Sequence, residues 1–232
     1  MYQDERYIAI HKPAGLLVHR STMDASETRF ALQMLRDQIG QPVFPLHRLD
    51  KPTSGLLLFA LDREAAAAVS RQFAEHTLQK SYLAVVRGHP PETLHIDYPV
   101  KARQDKRTKN PKTPQGMTDL STLAQCELPI ANGKYPTSRY ALVELQPRTG
   151  RRHQLRYHMK HISHPIVGDP KYGKKEHNDI FKVHFHCERL LLTAVTLRFY
   201  HPFRRQTLTL HCPPDDSFTS VLRALGWHKY VE

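Results

Sequence analysis

Cysteine is scarce: three in 232 residues, Cys126, Cys187 and Cys212, widely spaced and odd in number. That argues against a disulfide framework and for a reducing compartment, so a cytoplasmic protein is expected. No apolar run approaches the roughly 20 residues of a membrane-spanning helix, and no membrane partner is expected. The N-terminus, MYQDERYIAIHKP, carries Asp4 and Glu5 where a secretory leader would hold an apolar core. A glycine-rich phosphate loop is missing, which speaks against a nucleotide cofactor. Internal repeats and low-complexity tracts are missing too. His158, His161 and His164 recur every three residues, and HFHC adds His184, His186 and Cys187, but neither pattern has a zinc-ligand spacing. No metal and no cofactor of any kind is expected. The cysteines have no local base-and-orienter pattern, so a thiol nucleophile is not expected either.

Acidic residues are also in short supply, and the shortage is local. The formal net charge is +12, from 34 Lys and Arg against 22 Asp and Glu. Residues 101–112, KARQDKRTKNPK, hold six basic residues and one acid. Residues 148–175 hold eight basic residues and a single acid, Asp169. These two stretches account for the whole excess, and the rest of the chain is balanced. Such clustering is the footprint of a polyanion-binding face, and nucleic acid is the common polyanion. The second run also carries helical apolar spacing, so it lies on folded structure.

The length suits one domain over residues 1–232. YIAIHKPAGLLVH reads as two short strands around a Pro-Ala-Gly turn. Ser26 is expected to cap a helix running to Ile39 and stopped by Gly40, with Phe30, Met34 and Leu35 facing inward. PVFPL and GLLLFAL read as strands, the second fully buried. Asp62 is expected to cap the helix REAAAAVSRQFAEH. KSYLAVVRG and SRYALVELQP read as strands, and residues 89–137 between them as long loops with a few edge strands. RRHQLRYHMKHIS is expected to be a helix with Leu155, Met159 and Ile162 on one face. RLLLTAVTLRFY and QTLTLHCP form a hairpin through HPFRR, and a helix near Ser217–Leu225 closes the chain. Strands outnumber helices without regular alternation. The expected class is α+β with a mixed, largely antiparallel sheet flanked by helices and loops.

The stretch HRLDKPTSG, residues 47–55, holds more charge than a turn needs. Asp50 lies at the mouth of a loop leading into a buried strand. A carboxylate there, kept ionised by a nearby arginine, is a competent nucleophile or base. By spacing alone the commoner outcome is turn chemistry, with Asp50 in an Asx turn and Arg48 as its surface partner. On the basic helix, His153, Arg156 and Lys160 can lie together while Leu155 and Met159 face inward. Arg152 and Arg156 are four residues apart, so one can reach a phosphate and the other a cleft. Arginine suits both, because its planar fork holds carboxylates and phosphates bidentately. A solvated helix face is the plain alternative.

Taken in order, four stretches resemble the RluA family of pseudouridine synthases: HKPAGLLVH, HRLDKPTSGLLLFA, QKSYLAVVRG and PRTGRRHQLRYHMKHISHPIVGD. They span residues 11–169. YPTSRYALVELQPRTGRRHQLRYHMKHISHPIVGD, with no N-terminal S4 RNA-binding domain expected, is most similar to the TruC type, whose members modify uridine 65 of certain tRNAs. The resemblance implies the pseudouridine synthase fold, with a central active-site cleft, and no cofactor. It implies catalytic roles for Asp50 as nucleophile, Tyr82 stacking on the target uracil, and Arg156 pairing with Asp50. Leu155 would line the base pocket, Arg48 would take up the space a flipped base leaves behind, and His47 is expected to contact the substrate. Arg152, His153, Lys106 and Arg107 are the expected RNA contacts. The expected partner is RNA, foremost tRNA, with rRNA the alternative, and the protein is expected to act as a monomer. Two other classes stay open on the residues alone. One is an RNA-binding or RNA-folding module without chemistry. The other is a glycosidase-like hydrolase, which would need a second carboxylate beside Asp50.

Overall fold

The computed structural model describes residues 1–20, 26–100, 114–133 and 135–230. In chain order the elements are β1 (Tyr2–Gln3), β2 (Tyr7–Lys12), α1 (Ala31–Ile39), β3 (Phe44–Pro45), β4 (Ser54–Ala60), α2 (Arg63–Ala74), β5 (Gln79–Arg87), β6 (Thr93–Asp97), β7 (Met117–Leu128), β8 (Ser138–Pro147), α3 (Gln154–His161), α4 (Lys175–Phe185), β9 (Leu192–His201), β10 (Gln206–His211) and α5 (Asp216–Ala224). They divide into two compact units. One comprises Met1–Lys80 and Thr193–Asp216, the other Ser81–Leu192 and Ser217–Glu232. The described pairings are antiparallel except that of β4 with β9, so the expected α+β class with a mixed, mostly antiparallel sheet is what the chain adopts.

In the first unit β4 is the central strand. Every residue of SGLLLFA is buried, the mark of a strand covered on both faces. β2 lines one side of it, from Tyr7 opposite Ala60 to Lys12 opposite Gly55. β3 pairs with its far end, and β9 runs parallel to its start, Ser54 opposite Thr193 and Gly55 opposite Ala194. That last contact demands glycine. Gly55 has φ +105°, and a Cβ there would lie 2.2 Å from the Ala194 carbonyl oxygen. The hairpin of β9 with β10 forms as expected, His201 opposite Gln206. α2 also forms as expected, with Asp62 Oδ1 accepting the Ala65 N–H at 2.8 Å.

In the second unit β5, β8, β7 and β6 follow one another in antiparallel order. The period of two along β5 and β8 sorts their side chains onto two faces. Val85, Tyr140 and Leu142 join Phe181 of α4 with Phe218, Val221 and Leu222 of α5 in one cluster. Ala84, Val86, Ala141, Val143 and Leu145 join Leu155 and Met159 of α3 in the other.

Four expectations are corrected. α1 starts at Ala31, not near Ser26, because the Leu17 and Val18 carbonyls accept the Ala31 and Leu32 N–H groups at 2.9 and 3.0 Å. Met34 of α1 is therefore exposed, while Ala31 and Leu35 face inward. The same use of Leu17 and Val18 removes the second strand expected after the Pro-Ala-Gly turn, leaving a single bridge from Leu17 to Phe30. Residues 117–128 are a twelve-residue strand between β6 and β8 rather than an edge or loop. Its Thr, Asp, Ser and Gln hide the alternation, and pairing on both sides compensates. α4 was not expected at all: only Ile180 and Phe181 are buried on it, too thin a stripe for a helical period.

Candidate active site

The Asp50 loop is fixed at its ends and along its backbone. Before it, Leu46 donates to the Leu58 carbonyl at 3.1 Å, and His47 Nε2 accepts the Leu58 N–H at 3.1 Å. The His47 ring stacks on Phe73 with centroids 5.2 Å apart. Burial, with Lys80 adding to it, pushes the His47 pKa down to about 3, so the ring is neutral and keeps its lone pair for Leu58. After it, the Thr53 N–H donates to the Asp50 carbonyl at 3.0 Å, closing the turn. The Lys51 carbonyl accepts the Gly15 N–H at 2.8 Å and Lys12 Nζ at 3.2 Å. Lys12 is fully buried, and its ammonium also donates to the carbonyls of Pro13 at 2.8 Å and Leu16 at 2.7 Å. Arg48 is exposed, Leu49 packs into the core, and Asp50 is half-buried. Lys51 Nζ reaches Glu27 at 2.7 Å, a partly exposed pair of small energetic weight. His47, Arg48 and Asp50 thus share one loop whose backbone hydrogen bonds are made within the first unit.

In the second unit Tyr82 is half-buried on β5, opposite Leu145 of β8. It packs against the cluster that holds Leu155 and Met159, so two of the expected site residues meet on one face. Its neighbour Ser81 donates a short hydrogen bond to Glu144.

α3 is anchored by its first residue. Gln154 is buried; its Oε1 accepts Thr149 Oγ1 at 2.7 Å and the Arg151 N–H at 3.0 Å, and its Nε2 donates to the Met117 carbonyl at 2.9 Å. Because the helix starts here, Arg152 precedes it and is exposed. His153 holds a left-handed conformation, φ 57°, and its Nδ1 lies 3.2 Å from the Tyr172 hydroxyl. Arg156 is no solvated surface arginine. It is 4 % exposed, with Nε donating to Asp169 Oδ2 at 2.7 Å and Nη2 to Asp169 Oδ1 at 2.9 Å. Its guanidinium carbon lies 5.3 Å from the Tyr172 ring centre. Lys160 approaches the same ring at 5.9 Å, so His153, Arg156 and Lys160 do gather, around Tyr172. Lys106 and Arg107 lie outside the described residues.

The histidines of the three-residue repeat end on protein partners. His158 is buried between Thr118 Oγ1 and the Tyr98 carbonyl, both at 3.0 Å. His161 stacks on Tyr98, and His164 Nδ1–H donates to the Arg87 carbonyl oxygen at 2.9 Å.

The sequence model of the RNA pseudouridylate synthase family matches residues 6–161, two thirds of the chain and both units. The chain belongs to that family. As an RNA pseudouridylate synthase it is an isomerase, converting uridine in RNA to pseudouridine. It is 50 % identical to the tRNA pseudouridine synthase C of Vibrio cholerae over 99 % of this chain and 96 % of that one. A protein of the same name from Haemophilus ducreyi is also 50 % identical, over 98 % of this chain and 96 % of the other. Among solved structures, human RNA pseudouridylate synthase domain containing 4 aligns with a TM-score of 0.73 at 26 % identity, covering 97 % of this chain and 92 % of that one. Human RNA pseudouridylate synthase domain containing 1 aligns with a TM-score of 0.69 at 27 % identity, over 92 % and 82 %.

Three residues that support the synthase's expected site went unremarked as functional candidates. Lys12 ties the HKPAG turn to the residue after Asp50, Gln154 sets the start of α3, and Asp169 holds Arg156. Asp169 did leave a signal, as the lone acid in the basic run 148–175.

Proposed function

We propose that this synthase acts on tRNA, converting uridine 65, with Asp50 as nucleophile on a flipped-out nucleotide. The observation that carries the tRNA assignment is the 50 % identity, over nearly the full length of both chains, to relatives named for tRNA. The chemistry is redox-neutral. The N1–C1′ bond breaks, the uracil turns, C5 joins C1′, the C5 proton leaves and N1 gains one, so atoms balance without a co-reactant. Asp50 opens the sequence by attack at C1′, by addition at C6, or by serving a glycal route in which C2′ gives up a proton. Support for its role comes from the loop, whose backbone is held at Asp50 and Lys51, with Asp50 half-buried. Tyr82 stacks on the uracil, worth about 1–3 kcal/mol, and Leu155 lines the base pocket. Arg156 orients the Asp50 carboxylate. Arg48 takes the space of the flipped base, an extrusion that costs a few kcal/mol. Its neighbour His47 contributes by holding the loop in place. Arg152, His153, Lys106 and Arg107 supply RNA contacts that offset the extrusion. The synthase works as a monomer.

Incubating the purified protein with unmodified tRNA and rRNA transcripts, then mapping pseudouridine by carbodiimide adducts and primer extension, tests the assignment. One new site, at position 65 of tRNA, is expected. Modification confined to rRNA would contradict it.

A further inference from the structure

We infer that Asp169 is a positioning residue for Arg156, fixing the plane and reach of its guanidinium. The inference rests on the proposed pairing of Arg156 with Asp50. An arginine at 4 % exposure needs a counter-charge, because removing it from water without one is costly. Asp169, itself 1 % exposed, supplies that charge in the bidentate geometry that restricts a guanidinium most. The pair uses Nε and one Nη2 hydrogen, so one edge of the fork is committed to Asp169 and the rest of the guanidinium is held at a set angle.

Asp169 is itself firmly placed. Its Oδ1 also accepts the N–H groups of Lys171 and Tyr172, at 2.9 and 3.0 Å. Its carbonyl accepts Asn178 Nδ2 of α4 at 3.2 Å and the Gly173 N–H at 3.1 Å. Asn178 Oδ1 accepts the Gly168 N–H at 2.8 Å. Gly168 has φ +75°, and a Cβ on it would meet the Arg189 carbonyl oxygen at 1.8 Å, so glycine alone allows this approach. Burial works to raise the Asp169 carboxyl, but Arg156 and the two N–H groups outweigh it and hold it below the usual carboxylate range. The carboxylate is therefore charged and located before any RNA arrives. Geometry set in advance in this way saves reorganisation during the reaction, and a misplacement of 1 Å can cost about 10²-fold in rate.

Single-turnover rates on tRNA, with RNA affinity measured separately, test this through Asp169→Asn, Arg156→Ala and the double variant. Asp169→Asn should slow turnover about 10²-fold and leave RNA affinity within about twofold. In the Arg156→Ala background it should slow turnover no further, since Asp169 acts only through Arg156. An equal loss in both backgrounds, or a wild-type rate for Asp169→Asn, would overturn the inference. Should Asp169→Asn not fold, Asp169→Glu keeps the charge and moves it by one methylene. A tenfold or greater loss with unchanged RNA affinity is then expected, and a wild-type rate would overturn the inference. A wild-type rate for Arg156→Ala would instead refute the proposed role of Arg156, a separate result.

Discussion

Single residues around the Asp50 loop are held in place by neighbouring protein groups. His47 is the clearest example, since its neutral ring accepts the Leu58 N–H and lies on Phe73. This has a pH signature. In the unfolded chain the imidazole titrates near its ordinary value of about 6.5, and in the folded protein near about 3. Between those values the unfolded state binds one more proton, so the contribution is present above about pH 6.5 and is lost as pH falls toward 3. Denaturant titrations from pH 7 to 4 should show His47→Gln flattening the acid-side loss by up to about 1.4 kcal/mol per pH unit relative to wild type. Identical slopes would place the proton elsewhere, His177, also depressed by burial, being the next group in line. At this scale the family resemblance picks out Asp50, Tyr82, Leu155 and Arg156 as candidates, and the structure puts Tyr82 and Leu155 against one cluster and buries Arg156 on Asp169. Asp169 and Lys12 were not announced as partners, because a hydrogen bond across 13 residues, or from Lys12 to the carbonyl of Lys51, has no local spacing to read.

At the scale of elements, legibility followed apolar pattern and caps. β4 is an unbroken apolar run, α2 has Asp62 in front of alanines, and the β9–β10 hairpin has alternation on both arms; all three formed where the residues said. α1, β7 and α4 were misjudged or missed, since backbone carbonyls cap the first, pairing on both sides sustains the polar second, and two buried residues define the third. The start of β4 carries a sharper requirement. With φ +105° and the Ala194 carbonyl 2.2 Å from where a Cβ would stand, Gly55→Ala must push β4 from β9 just beyond the Asp50 loop. Chemical denaturation should show a loss of at least about 2 kcal/mol. Stability within about 0.5 kcal/mol of wild type would mean the two strands separate at little cost.

For the whole molecule, the charge excess of +12 lies in two stretches, and the described one is not merely a solvated face. Within 148–175 Arg151, Arg152 and Lys160 are exposed and Arg156 is buried, so one basic run supplies both the surface and the interior of its unit. Composition made the polyanion legible; it took the fold to separate Arg156 from its exposed neighbours. Among the described residues no helix is long and apolar enough to cross a membrane. Chemistry on RNA is the claim on which the rest depends, with Asp50 as its proposed centre. The most direct measurement is tritium release from tRNA labelled at uracil C5, with wild type and Asp50→Asn compared at matched RNA occupancy. The account predicts one tritium released per tRNA with wild type and none above background with Asp50→Asn, although the variant still binds. Turnover by Asp50→Asn at a rate near that of wild type would contradict it.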